Sequence, residues 1–125
     1  MNYESGGLKD LVSTDCLSRA DVETLLDTAA IYAKDPLRDS KFLANQTVVI
    51  YMNKASTRTR LASETAVAHL GGTPIFVRGD ELQIGRGETL PDTAKVISGF
   101  AKAMIIRTYA QSDVAELAKH ASIPI

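Results

Sequence analysis

Three short runs rich in β-branched, apolar and aromatic residues, Thr47–Met52 (TVVIYM), Thr73–Val77 (TPIFV) and Ala103–Thr108 (AMIIRT), alternate with stretches of helical periodicity. That alternation leaves few folds open, because strands separated by helices are joined by right-handed crossovers and lie parallel. Between the first two runs, Leu61, Ala62, Thr65, Ala66 and Leu70 recur at helical spacing, and Gly71-Gly72 is suited to a left-handed helix stop. Ser18 and Asp21 form a capping-box pair ahead of Val22, Leu25, Leu26, Ala29, Ala30 and Ala33, a helical face that Pro36 ends. Thr89 and Asp92, with Pro91 between them, open a helix to about Phe100; Ser112 is expected to cap another to about His120. Ser122–Ile125 reads as the start of a fourth strand. The expectation is a single α/β domain, a parallel sheet of about four strands with flanking helices.

Where the first strand gives way to its helix stand Ser56, Thr57, Arg58, Thr59 and Arg60, three hydroxyls and two guanidiniums in five residues. A helix's first turn leaves backbone N–H groups unpaired and carries partial positive charge, so it attracts phosphate. An arginine adds a planar fork that can grip two phosphate oxygens. Serine and threonine also cap helices in which nothing binds. Here, however, Lys54, Arg58 and Arg60 crowd a helix end that repels cations unless an anion compensates. Neither G-x-x-x-x-G-K-[ST] nor G-x-G-x-x-G occurs, so a small phosphorylated ligand is favoured over a mononucleotide.

In open parallel sheets ligands bind beyond the carboxyl ends of the strands. Arg107 stands at the end of the third run, so it can line one crevice with the Ser56 turn. Arg78–Glu88 (RGDELQIGRGE), with three glycines and five charged residues, reads as an exposed loop able to carry polar groups to a ligand. His69 and His120 fall in helical stretches away from the strand ends, which suits structural roles, and no catalytic triad or metal-ligand cluster assembles from this spacing.

Composition removes several classes of function. A formal net charge of −1 on 125 residues argues against a protein built to neutralise a nucleic-acid backbone. No stretch approaches the length of a membrane span, and residues 1–10 lack a signal-peptide pattern, so a cytoplasmic location is expected. Cys16, the one cysteine, excludes a disulfide within the chain. No metal and no cofactor is expected.

With the turn, the loop and Arg107 identified, the chain resembles the N-terminal carbamoyl-phosphate-binding domain of the aspartate and ornithine carbamoyltransferases. The resemblance runs from the first helix through Lys54–Arg60, His69–Gly72, Gln83–Thr89, Asp92–Ala94 and Ile106–Thr108 to Ala121–Ile125. Gln83 at the head of the loop and the pair Arg107-Thr108 bring it closer to the ornithine branch. The resemblance implies that Ser56, Thr57 and Arg58 hold the phosphate, that Thr59 reaches the carbamoyl oxygen and that Arg107 bridges the two, with Arg58 and Arg107 catalytic. It implies Gln83 acting from a neighbouring subunit of a homotrimer or a multiple of trimers. The implied reaction carries the carbamoyl group from carbamoyl phosphate to ornithine, giving citrulline in arginine biosynthesis. Arg60 is expected to pair with Glu64 rather than touch ligand, a contact that stabilises by only about 0.3–0.5 kcal/mol.

The family's next landmark, a His-Pro-x-Gln segment, would fall shortly after residue 125, as would the amino-acid-binding domain. The chain is therefore expected to be an incomplete carbamoyl-phosphate-binding domain, inactive alone. Two other readings stand beside this one: an aspartate carbamoyltransferase, and a non-catalytic anion-binding or interaction module.

Overall fold

The computed structural model describes residues 9–82 and 87–125. The three runs form strands β1 (Thr47–Met52), β2 (Thr73–Arg78) and β3 (Ala103–Arg107). They pair in parallel in the order β2-β1-β3, which places the first strand in the middle. Its central place explains its composition: Val48 to Met52 are all buried, as expected of a parallel strand covered on both faces.

Helices α2 (Thr57–His69), α3 (Leu90–Phe100) and α4 (Gln111–His120) contribute buried residues to the core around the sheet, while α1 (Arg19–Lys34) contributes none. Side-chain alternation divides the core in two. Val49, Tyr51 and Met104 pack with Ala94 and Ile97 of α3 and Leu117 of α4. Val48 packs with Leu43 and with Val67 of α2 on the other face, where Ala103 and Ile105 join them. Leu117 and Ile50 are fully buried, and truncating such a residue to alanine costs about 2–5 kcal/mol.

The capping signals read from the sequence operate locally. Ser18 and Asp21 close a reciprocal capping box at the start of α1. Thr89 Oγ1 accepts from Asp92 N at the start of α3, with Pro91 in the first turn. At the end of α2, Gly71 N donates to Ala68 O and Gly72 N to Val67 O, the paired bonds of a Schellman stop. Gly71 has φ +82°, and a Cβ there would lie 2.1 Å from Ser40 O, so only glycine fits.

Two expectations need correction. Residues 122–125 form no fourth strand: Met104 N donates to Pro124 O at 2.9 Å, but Pro124 has no N–H to extend a ladder. The edge is instead held by Leu11 N on Ile125 O at 2.8 Å and by Ile125 N on Asp10 Oδ1 at 2.9 Å. Helix α4 begins at Gln111, after Ala110 as N-cap with no side-chain cap, rather than after Ser112. The expected apolar face of α1 lies in a helix with no buried residue, and Leu26 on it is 66% exposed.

Candidate functional site

Strand register decides which residues meet at the carboxyl edge of the sheet. Met52, the last residue of β1, stands opposite Arg78 of β2 on one side and Arg107 of β3 on the other. The chain then leaves the sheet through Asn53–Ala55, and Asn53 N donates to Arg107 O at 3.1 Å.

Ser56 is the N-cap of α2, with extended backbone at φ −160°. Its Oγ accepts from Thr59 N at 3.4 Å and donates to Thr59 Oγ1 at 3.0 Å, while Arg60 N closes the first turn on Ser56 O at 3.0 Å. Thr57 and Arg58 are exposed on this first turn, where backbone N–H groups are unpaired within the helix. Arg60 Nε meets Glu64 Oε2 at 3.0 Å, as expected. Its guanidinium also lies 3.7 Å from the Phe76 ring centroid, a contact that the sequence did not signal.

Arg107 is half-buried, and its Nε and the neighbouring Thr108 Oγ1 are buried without a hydrogen-bond partner among the described residues. An unmet buried donor costs about 1–3 kcal/mol, so such an atom marks a place where a ligand can be accommodated. Lys54 Nζ lies 5.4 Å from the exposed Tyr109 ring centroid beside the same strand end.

The expected site residues occupy two clefts rather than one. Ser56 and Thr57 line a cleft of about 550 Å³ between the ends of β1 and β2, together with Arg60, Phe76 and Arg78. Arg107 and Thr108 line a cleft of about 500 Å³ at the end of β3, with Lys54 and Gln111. Consecutive residues of the connecting turn border different clefts, Lys54 the second and Ala55 the first. Arg58 and Thr59 line neither. Gln83 lies outside the described residues.

Beneath the turn, Tyr51 is 5% exposed. Burial pushes its hydroxyl pKa up, the Asp113 carboxylate adds to the effect, and a hydrogen bond with the Asn53 side chain opposes it. The phenol therefore stays neutral as a support for the turn. Arg78, the other cation at the edge, is engaged by Asp80 Oδ1 at 3.4 Å and Glu81 Oε1 at 3.8 Å. Phe76 and Thr108 were not singled out as site residues from sequence, and Lys54 only as part of the cation cluster; Lys54 and Thr108 lie just beyond strand ends and Phe76 two residues before one, the position that could have found them.

A parallel α/β domain whose strand ends carry hydroxyls, a helix N-terminus and an arginine with a buried donor unpaired among the described residues belongs to the open-sheet class, and its carboxyl edge is suited to an anion. Comparison with known proteins gives it a lineage: residues 9–125 match the aspartate/ornithine carbamoyltransferase, carbamoyl-P binding domain family, and the chain belongs to that family. It is 42% identical to an ornithine carbamoyltransferase of Oceanobacillus iheyensis, an alignment covering 100% of this chain and 40% of the relative. It is 41% identical to the Bacillus subtilis enzyme, covering 94% and 36% respectively. Among solved structures, the anabolic ornithine carbamoyltransferase of Campylobacter jejuni superposes with a TM-score of 0.85 at 31% identity, over 94% of this chain and 38% of that one. The Pyrococcus furiosus enzyme gives 0.83 at 37% identity, over 93% and 38%. The chain thus spans about two-fifths of the length of these relatives.

Proposed function

We propose that the chain is the carbamoyl-phosphate-binding part of an ornithine carbamoyltransferase. Ser56, Thr57 and Arg58 hold the phosphate through hydroxyls, first-turn N–H groups and guanidinium. Thr59 turns its hydroxyl from Ser56 to the carbamoyl oxygen, and Arg107 spans phosphate and carbonyl. The observation that carries this reading is the buried Nε of Arg107, without a partner among the described residues, on the strand paired with β1, from whose end the Ser56 turn departs.

The chemistry suits these groups. Attack by the side-chain amine of ornithine builds negative charge on the carbamoyl oxygen, and departure of phosphate builds more on the leaving group. Fixed cationic and N–H donors stabilise both, each such donor being worth about 3–4 kcal/mol of barrier. Citrulline and phosphate are the products. The reading includes a cytoplasmic homotrimer serving arginine biosynthesis, with Gln83 reaching the ligand of a neighbouring subunit. It assigns no acceptor-amine group to these 125 residues, so the chain by itself binds carbamoyl phosphate without turning it over.

Titration of the ¹⁵N-labelled chain with phosphonoacetamide, which replaces the labile bridging anhydride oxygen of carbamoyl phosphate by CH₂, tests the site. The expected shifts centre on the amides of Ser56 to Thr59 and on Arg107 Nε, and vanish with Arg58→Ala. Shifts confined to other residues, or none at millimolar ligand, would overturn the assignment. Assaying the complete enzyme with ornithine and with aspartate separates the two branches of the family.

A further inference from the structure

We infer that Arg60 is a positioning residue, which sets anion affinity by tying the first turn of α2 to β2 through the face of Phe76. The inference rests on the proposed carbamoyl-phosphate site and deepens it. The two arginines of the turn are held differently. Arg58 is exposed and its side chain makes no hydrogen bond, ion pair or ring contact with a described residue, as suits a group that meets ligand. Arg60 is held from two sides: Nε bonds Glu64 one helical turn on, at 3.0 Å, and the guanidinium stacks 3.7 Å from the Phe76 ring centroid.

These contacts bridge separate elements. Glu64 belongs to α2, so the ion pair fixes the rotamer of Arg60 along its own helix. Phe76 belongs to β2, two residues before its end, and is hydrogen-bonded into the sheet beside Ile50. Stacking therefore couples the helix start to a strand that the Ser56 turn does not otherwise touch through a hydrogen bond among the described residues. Arg60 N also closes the turn on Ser56 O, so a displacement of Arg60 moves the N-cap and the N–H groups beside it. A cation at a helix N-terminus opposes the dipole unless its charge is engaged elsewhere. The carboxylate and the ring engage that charge, leaving the positive end of the helix to an incoming anion.

The test is a double-mutant cycle on the full chain with Arg60→Gln, Phe76→Leu and the pair, read by phosphonoacetamide affinity and by amide hydrogen exchange without ligand. Each single variant is expected to weaken affinity by about three- to tenfold, in line with an aromatic contact at a partly exposed site. The double variant is expected to be no weaker than the worse single one, because one coupled interaction is removed in each case. Phe76→Tyr, which keeps an aromatic face, is expected to restore wild-type affinity. In the ligand-free chain the amides of Thr59 and Arg60 are expected to exchange faster in Phe76→Leu while those of β1 and α4 do not change.

A silent Phe76→Leu beside a damaging Arg60→Gln would mean that Arg60 contacts ligand directly, and would overturn the inference. Unchanged exchange at Thr59 and Arg60 in Phe76→Leu would overturn it as well. Failure of the wild-type chain to bind phosphonoacetamide would instead strike the carbamoyl-phosphate reading, and the exchange measurement would still decide whether Phe76 holds the turn.

Discussion

Gly79 lies so close to Asn53 that no side chain fits between them: a Cβ on Gly79 would stand 2.5 Å from Asn53 Cβ and 2.8 Å from its Cα. Gly79 N donates to Met52 O at 3.0 Å, so the end of β2 is drawn against the residue that opens the turn. Backbone atoms cannot yield as a flexible side-chain tip can. Gly79→Ala is expected to destabilise the chain by about 1–3 kcal/mol, as overpacking typically does. It should weaken phosphonoacetamide binding too, because Asn53 must move. Thermal unfolding and ligand titration check both effects, and an alanine variant matching wild type in both would refute the close-packing argument.

Tyr51 gives the fold an alkaline limit. Its raised pKa means that the native state resists ionisation while the unfolded chain ionises near the ordinary value of about 10. Stability from this group is present in full below that pH and is lost as pH rises through the native pKa. Tyr51→Phe is expected to flatten the decline above about pH 10 relative to wild type. Urea unfolding at pH 8, 9.5 and 10.5 measures it. Parallel declines in the two proteins would assign the effect to another group.

Asp21 sets an acidic counterpart at the surface. Hydrogen bonds from the Ser18 hydroxyl and backbone N–H lower its pKa below the ordinary carboxylate value. The contribution is thus present above about pH 4 and is lost as pH falls through the lowered pKa. Amide exchange at the start of α1 is expected to quicken across that window in wild type. Asp21→Asn should show faster exchange already at neutral pH with little dependence on acid. A wild-type helix start insensitive to acid would count against the capping box.

Much of this architecture was legible because its causes are local. β-branched runs, Ser18 with Asp21, Thr89 with Asp92 and Gly71 each act within a few residues, and each produced the expected element or stop. What failed depended on distant partners. The apolar run near Ile125 suggested a strand, but strand formation needs a continuous ladder and Pro124 cannot donate to one. Val22, Leu25 and Leu26 repeat as a core-facing helix does, yet no described element buries them. The strand-end rule put Arg107 at the carboxyl edge next to the end of β1, but the single crevice expected from it is two clefts, with Lys54 bordering one and Ala55 the other, a division that periodicity does not specify. Stacking of Arg60 on Phe76 joins residues sixteen positions apart and depends on the β1–β2 register, which sets Phe76 opposite Ile50.

Arg107 offers the sharpest contrast between folding and function. Its half-buried side chain carries a donor with no partner among the described residues, so the ligand-free fold bears a desolvation cost that a bound anion would offset. Replacing it by methionine keeps much of the apolar stem and removes the unpaired donor. Arg107→Met is therefore expected to leave the ligand-free chain as stable as wild type or more so, by up to about 1–3 kcal/mol. The same variant should abolish phosphonoacetamide binding and, in the complete enzyme, reduce citrulline formation by about two to three orders of magnitude, the effect of losing one oxyanion donor. Chemical denaturation of the free chain and turnover of the complete enzyme give the two readings. Loss of stability together with retained turnover would make Arg107 a structural residue and remove it from the site.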